Sequence, residues 1–268
     1  MKEFESFSLE EAKTDAADGQ KRSSTIQSIS VAMRVLTILA SAERALPLVE
    51  LARLSRLGRS SAHRYMQSLV KEGLAVQDPA TSHYDLGPAA LSIGIAALRR
   101  VDAVEMAGTQ MKQLAQSHAM SSGVAIWTDR GPTLVRWYRS AHFSITALTL
   151  GDVLPVDNTA CGLVFQAFLP RAQIEAARRI QPDHFRGDPP ARQAIEAVRT
   201  SGWAELTSHL LSNVTGQAAA VLDAQGELSC VVTTVTDIGQ LRSPEDRYAL
   251  QEVAQVLNRA TGGLSQLG

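Results

Sequence analysis

A predicted helix that begins at Arg59 carries hydrogen-bonding side chains on one face. In its sequence, RSSAHRYMQSLVKEG, apolar residues recur at helical spacing and define a buried stripe. The opposite face and the N-terminal end carry Arg59, Ser60, Ser61, His63, Arg64 and Gln67. Arginine and glutamine can form paired hydrogen bonds to base edges in a DNA major groove, and the free N–H groups of a helix start favour a phosphate. A solvated polar face without a partner accounts for the pattern equally well.

Cys161 is the second residue whose position could support chemistry, because it lies in the first turn of another predicted helix. A helix N-terminus lowers the pKa of a thiol, and His142, His184 or His209 could supply a base. These residues define one alternative function, a Cys-His hydrolase, and a ligand carrier that uses a pocket of the C-terminal domain is another. A buried structural cysteine is the favoured interpretation, and a redox sensor based on Cys161 or Cys230 is a further alternative. The chain contains no GxSxG, HExxH, CxxC or P-loop pattern.

Two further helices are predicted upstream of Arg59. Apolar spacing indicates a helix over residues 29–40. Pro47 is suited to open the next helix, because a residue in a first turn needs no N–H donor. Gly58 is expected in the tight turn between that helix and the one that begins at Arg59.

A hairpin is predicted directly after these three helices. The runs LAVQ (74–77) and HYDL (83–86) alternate apolar and polar residues on either side of turn-forming residues. Three helices followed by a short hairpin predict a winged helix-turn-helix over residues 26–86, in which the hairpin is the wing. Ser82 and His83 lie near its tip, where they could contact DNA backbone or minor groove.

Charge and composition are consistent with this assignment. The chain has 268 residues, enough for two domains, with a net charge of −1. Residues 26–75 contain seven Lys or Arg and three Glu, a local charge of +4, behind an acidic tail (residues 1–25) that we expect to be disordered. No signal peptide or membrane span is predicted. The two cysteines predict neither a disulfide framework nor a zinc site, so we expect a cytoplasmic protein without metal or cofactor.

The remainder of the chain mixes helices and hairpins. A linker helix is predicted over residues 87–101, and an α+β domain with an antiparallel sheet over residues 102–268. The predicted strands are residues 124–128, 133–138, 144–150, 218–223 and 228–235. The predicted helices are residues 103–118, 159–169, 171–180 and 188–201, and a last helix that Pro244 opens. The expected buried face of that last helix is Ala249, Val253, Val256, Leu257, Ala260 and Leu264.

The ordered series of segments resembles the IclR family of bacterial transcriptional regulators. The matching segments are a first helix that ends in LxxL, then LVELARLSRL, SSAHRYMQSLVKEGL, the hairpin and YDLGPAALSIG. The resemblance implies DNA binding through the helix that carries Arg59, Ser60, Ser61, His63 and Arg64. It also implies a symmetric homodimer, able to pair into a dimer of dimers, on a partly palindromic double-stranded operator.

A looser resemblance covers the second domain. The segment GDVLPVDNTACGLVFQAFLP is similar to the family's pocket region and implies a GAF-like domain that binds a small organic effector, commonly a carboxylate or an aromatic acid. The effector-binding residues implied in this way are Leu150, Leu154, Asn158, Thr159, Ala160, Trp203, Leu206, Gly216, Thr233 and Val235. Asn158, Thr159 and Ala160 could cap the helix, present N–H groups to a carboxylate, or do both.

The chain departs from the family pattern inside this region. Asp157 stands where the family often has histidine, Leu163 where it often has lysine, and Gly216 where it sometimes has cysteine. Leu206 and Thr207 replace a frequent acidic pair. The position of a pocket is therefore implied, but no particular effector is. The aromatic residues that could line the pocket or belong to the core are Trp127, Trp137, Tyr138, Phe143 and Trp203.

Overall fold

A computed structural model describes residues 26–140, 148–207, 214–237 and 244–263. The chain divides after Gly94 into two compact units, and the division falls inside the helix predicted as a linker. Each unit has its own hydrophobic core. No helix among the described residues is both long and apolar enough to cross a membrane.

The N-terminal unit is the predicted winged helix-turn-helix. Its elements are α1 (Gln27–Ala40), α2 (Leu48–Ser55), α3 (Arg59–Lys71), β1 (Ala75–Gln77), β2 (Tyr84–Leu86) and the first part of α4 (Pro88–Leu98). The core contains Val35, Leu39, Leu51, Met66, Leu69 and Tyr84. The wing also pairs with the segment before α2, because Leu46 and Tyr84 exchange backbone hydrogen bonds of 2.9 and 2.8 Å.

The turn between α2 and α3 differs from the prediction. Gly58 has an ordinary φ of −62° and precedes α3 as its N-cap, whereas Arg56 occupies the left-handed region with φ of 56°. The turn is stabilised by the N–H groups of Arg56 and Leu57, which donate to carbonyl oxygens of α2. The guanidinium of Arg34 donates to the carbonyl oxygen of Ser55 (3.2 Å) and so satisfies a carbonyl that has no N–H donor within the helix.

The exit of the wing lies against the turn that follows α3. A Cβ atom on Gly87 would overlap the carbonyl oxygen of Gly73 and lie 2.9 Å from the backbone of Ala75. Only glycine allows this approach without a backbone shift. The approach fixes the wing beside the C-terminal end of α3.

The C-terminal unit has the predicted α+β architecture with an antiparallel sheet. Its helices are α5 (Ala103–Ser117), α6 (Ala160–Phe168), α7 (Arg171–Ile180), α8 (Arg192–Ser201) and α9 (Pro244–Thr261), with a 3-10 turn at Asp183–Phe185. Its strands are β3 (Ser121–Thr128), β4 (Gly131–Tyr138), β5 (Trp203–Thr207), β6 (Val214–Leu222) and β7 (Leu228–Asp237). The strand order is β4-β3-β7-β6-β5, and all neighbours are antiparallel.

The two faces of this sheet bury separate cores. Helix α6 packs on one face, where the core includes Leu134, Phe165, Ala218, Leu222 and Val231. Helices α5 and α9 pack on the other face, where the core includes Met111, Val124, Val221, Val232 and Leu250. Successive strand residues therefore alternate between the two cores.

Two predicted segments differ from the structure. Residues 144–147 of the predicted strand 144–150 lie outside the described residues, and Leu148–Leu150 are not in a strand. Instead, the Thr149 N–H and hydroxyl donate to the Asp152 carboxylate at 2.8 and 3.2 Å and close a turn. Helix α8 begins at Arg192, not at residue 188, because the Pro189-Pro190 pair that precedes it disfavours helix.

The buried face of α9 was only partly predicted. Ala249 and Leu257 are buried as expected, but Val256 is 49% exposed and Ala260 is also exposed. Leu264 lies outside the described residues. Leu250, Ala254 and Asn258 lie on the buried face. The Asn258 side chain accepts from the Leu222 N–H and donates to the Ala220 carbonyl, both at 2.8 Å, so a polar residue occupies a core position that hydrophobic spacing does not reveal.

Candidate DNA-binding helix and effector cavity

Helix α3 presents the predicted DNA-binding residues on one exposed surface. Its buried face is formed by Ala62, Met66 and Leu69. All six predicted residues of this helix are exposed: Arg59, Ser60, Ser61, His63, Arg64 and Gln67. We call these six residues the recognition face.

The electrostatics of the recognition face favour an anionic partner. Helix α3 begins after Gly58 without a side-chain cap and has no acidic residue in its first turn. Its first N–H groups and the positive end of its dipole are therefore available to a ligand. Within the described part of the chain, neither Arg59 nor Arg64 forms an ion pair.

The wing tip is shaped by Asp78. Its carboxylate accepts hydrogen bonds from the N–H groups of Thr81 (2.9 Å) and Ala80 (2.7 Å), and these bonds lower the pKa of Asp78. Ser82 follows in the left-handed region, with φ of 59°, and is exposed. His83 is half-buried and so offers less surface to a partner than Ser82.

The C-terminal unit contains a small cavity of about 60 Å³ between α6 and the sheet. Eight of the ten predicted effector residues line it: Leu154, Asn158, Thr159, Ala160, Leu206, Gly216, Thr233 and Val235. The further lining residues are Leu134, Trp137, Leu148, Cys161 and Val214. Segments far apart in sequence thus meet at one site.

Leu150 and Trp203 do not line the cavity. Leu150 lies in the turn after residue 148 and is 67% exposed. Trp203 packs against the core on the opposite face of the sheet, because side chains alternate along β5 and it is Ala204 and Leu206 that face α6.

A β-bulge explains why Leu134 and Trp137 share the cavity wall. On β3, Val124 pairs with Arg136 but the next residue, Ala125, pairs with Leu134, so that Val135 is an extra residue in β4. A bulge of this kind reverses the alternation of side chains along a strand. Strict alternation in TLVRWY would place Leu134 and Trp137 on opposite faces.

Among the four described aromatic residues that could have lined a pocket, only Trp137 is at the cavity. Trp127 packs on Phe165 in the core, with ring centroids 5.4 Å apart. Tyr138 and Trp203 pack with the core of the opposite face. Phe143 lies outside the described residues.

The cavity is lined by apolar groups and neutral hydrogen-bonding groups. None of its described lining residues carries a charged side chain. Thr159 caps α6, since its hydroxyl accepts from the Gly162 N–H (2.9 Å) and donates to the Pro155 carbonyl (2.8 Å). Helix geometry leaves the N–H groups of Ala160 and Cys161 without acceptors inside the helix, so they remain available to a ligand.

Asp157, which replaces the family's frequent histidine, does not line the cavity. Its side chain is only 2% exposed and forms a two-pronged ion pair with Arg178, with Nη2 and Nε of the arginine at 2.6 and 3.0 Å. The bonds to Asp157 raise the pKa of the Arg178 guanidinium. This pair joins the segment before α6 to α7 and keeps the Asp157 carboxylate out of the cavity wall.

Cys161 lacks the properties of a catalytic nucleophile. Burial raises the pKa of its thiol from 9.0 to about 12, whereas an activated cysteine has a lowered pKa. Burial raises the pKa of Cys230 to about 12 as well. His184, one of the suggested bases, is exposed and packs edge-on against Phe185. His142 and His209 lie outside the described residues.

Both thiols are expected to be unreactive in the folded protein. Iodoacetamide at pH 8 should modify Cys161 and Cys230 slowly, and rapidly after unfolding in urea, as followed by mass spectrometry. Because the folded state holds both thiol protons more tightly, their contribution to the free energy of unfolding is constant below pH 9.0 and falls as pH rises towards 12. Rapid alkylation of native Cys161 would instead support the hydrolase alternative.

Comparison with known proteins gives matches to both units. The IclR helix-turn-helix domain matches residues 28–79, and the bacterial transcriptional regulator IclR C-terminal domain matches residues 95–262. The glycerol operon regulatory protein of Streptomyces coelicolor is 27% identical over 247 residues, which cover 88% of this chain and 97% of that protein.

Solved structures show the same arrangement of elements. The crystal structure of Pseudomonas aeruginosa HmgR has a TM-score of 0.75 and 28% identity, covering 88% of this chain and 98% of that one. An IclR homolog from Microbacterium hydrocarbonoxydans, complexed with 4-hydroxybenzoate, has a TM-score of 0.51 and 18% identity, covering 87% and 98%. With both family domains matched in order over most of its length, the chain belongs to the IclR family of bacterial transcriptional regulators.

Proposed function

We propose that this transcriptional regulator binds a double-stranded operator through the recognition face of α3 and that a small organic effector in the C-terminal cavity modulates the binding. The DNA-binding part of the proposal rests on Arg59 and Arg64, which are exposed and form no ion pair in the described chain. They lie beside the start of α3, which has no side-chain cap. Such a surface offers the cations and N–H donors that phosphates and base edges require.

The recognition face divides by chemistry into two roles. Arg59 and Arg64 bind phosphates or guanine edges, and Gln67 can pair with an adenine edge. Ser60, Ser61 and His63 orient the helix through shorter hydrogen bonds. At the wing tip, Ser82 and His83 contact backbone or minor groove.

The effector half of the proposal rests on the cavity. Its apolar wall suits the hydrocarbon part of a small acid, and the N-terminal end of α6 suits its carboxylate. The complex of an IclR homolog with 4-hydroxybenzoate is in keeping with an organic acid. The effector changes operator affinity only to the extent that it binds two arrangements of the protein unequally.

We further propose a symmetric homodimer, able to pair into a dimer of dimers. Helix α4 buries none of its residues within the described chain, although Leu91, Ile93, Ile95 and Leu98 are all apolar. A second copy packed against α4 would remove these side chains from water. The two-fold symmetry of such a dimer also matches that of a palindromic operator.

Fluorescence anisotropy with the DNA upstream of the protein's own gene tests the proposal. We expect binding tighter than to random DNA, with an affinity that falls steeply between low and high salt as phosphate counterions are released. A panel of small acids is then added to look for release or strengthening. Equal affinity for the upstream DNA, genomic fragments and random DNA, with and without the panel, would refute the regulator function.

A further inference from the structure

We propose that Trp137 is a specificity-determining residue whose indole N–H donates a hydrogen bond to a carbonyl or carboxylate oxygen of the effector. The inference rests on the proposed effector site. It goes beyond that site by assigning one donor and by stating the group that the effector must bring to it.

The indole nitrogen of Trp137 is an exception among the buried polar groups. Trp137 lines the cavity, and its Nε1–H is buried without a hydrogen-bond acceptor among the described residues. Buried tryptophan N–H groups usually have a partner, because a donor removed from water without one is destabilising. The described residues therefore give this donor no acceptor, and we place the acceptor group of an effector in the cavity against it.

The position of the indole ring is fixed by its neighbour on β3. Gly123 pairs with Trp137, and a Cβ atom on Gly123 would lie 2.7 Å from Cε3 and 3.3 Å from Cζ3 of the ring. The indole thus packs its Cε3 edge over a glycine, and Nε1 is on the opposite edge. A donor held in this way loses little conformational freedom on binding, which favours affinity.

The cavity wall defines the class of group that reaches Trp137. In this proposal the wall presents the Trp137 N–H and the N–H groups at the start of α6, and none of its described residues carries a positive charge. The wall therefore selects a ligand that accepts hydrogen bonds, and a negative charge alone is not sufficient. Its volume of about 60 Å³ is well below the ~150 Å³ that holds a benzene ring. A carboxylate with a short hydrocarbon part fits this space, and a larger hydrocarbon part would extend beyond it.

The test uses the full-length protein labelled with 15N at tryptophan. The chain has three tryptophans, and the signal of Trp137 is identified by its absence in Trp137→Phe. The probes are acetate, butyrate and benzoate, with toluene as the acceptor-free counterpart of benzoate. We expect at least one acid to move the Trp137 indole signal downfield, and toluene to leave it in place.

Affinity for the responding acid is then compared between variants by calorimetry. Trp137→Phe should weaken it about 10- to 100-fold, the effect of losing one hydrogen bond to a charged acceptor. Trp127→Phe, a tryptophan that packs in the core on Phe165, is the matched control. Gly123→Ala, which displaces the ring, should reproduce the loss.

Two results would overturn the assignment of Trp137. One is a Trp137 signal that no acid moves, and the other is unchanged acid affinity in a folded Trp137→Phe protein. Failure of the regulator function itself is distinguishable, because wild-type protein would then show no operator preference whatever the indole signal does.

Discussion

Replacing both Arg59 and Arg64 with alanine should weaken operator binding by about 30- to 20,000-fold for each half-site that a protomer contacts, because an arginine contact to a base edge contributes about 1–3 kcal/mol. Both side chains are exposed and neither forms an ion pair in the described structure. Their removal should therefore leave the helix and its buried face intact. Anisotropy at fixed salt measures the loss, and circular dichroism checks the fold.

The matched control removes two arginines from an exposed part of the C-terminal unit. Arg171 is 91% exposed and Arg179 is also exposed, both on α7, so Arg171→Ala/Arg179→Ala makes the same change in net charge. This control should retain most of the operator affinity. An equal loss in both double variants would mean that overall charge, not the recognition face, determines binding.

Single variants separate the two kinds of contact. Where an arginine binds phosphate, its replacement should lower the affinity for all DNA sequences alike. It should also reduce the slope of log affinity against log salt by about one. Where an arginine binds a guanine edge, its replacement should reduce the protein's discrimination between bases at one operator position. Arg64→Ala with unchanged affinity and unchanged discrimination would remove Arg64 from the DNA contact.

Asp157→Ala should lower the free energy of unfolding by about 3–5 kcal/mol, because it leaves the guanidinium of Arg178 largely buried without its main partner. The Arg178 side chain is 19% exposed, so water can replace only part of the lost interaction. Urea denaturation followed by tryptophan fluorescence measures the change. The effect is expected in the C-terminal unit, which contains all three tryptophans.

Two variants control for this ion pair. Glu175→Ala removes the second, more exposed partner of Arg178, 3.1 Å away, and should cost about 1 kcal/mol or less. Asp157→Leu/Arg178→Met replaces both charges with apolar groups and should recover most of the stability. A loss in Asp157→Ala no greater than in Glu175→Ala would show that the pair contributes little.

Local signals were sufficient to predict the winged helix-turn-helix. The polar and apolar faces of α3 follow directly from helical spacing, and the wing strands from alternation on either side of Asp78. The exception is Arg56, whose left-handed backbone is set by the hydrogen bonds of the α2 end, whereas sequence alone favours Gly58 for such a turn.

Long-range pairing limited the prediction of the cavity. The wall around Asn158 and Thr159 was located by family resemblance, but the bulge at Val135 depends on the register of β4 against β3, which no local pattern encodes. Strand β5 was not predicted either, and it is its pairing with β6 that turns Trp203 away from the cavity. Buried polar residues such as Asn258 cause a further error, because hydrophobic spacing does not identify a polar residue as part of the core.

The uncharged wall of the cavity has a consequence for how the protein responds to its surroundings. Ionic screening acts strongly on a site built from exposed arginines and weakly on one built from neutral donors and apolar side chains. In the absence of DNA, the concentration of effector that half-saturates the protein should thus stay nearly constant as the salt concentration changes, while operator occupancy varies widely. A change in salt concentration would therefore alter the affinity of the regulator for DNA and leave its affinity for the effector almost unchanged.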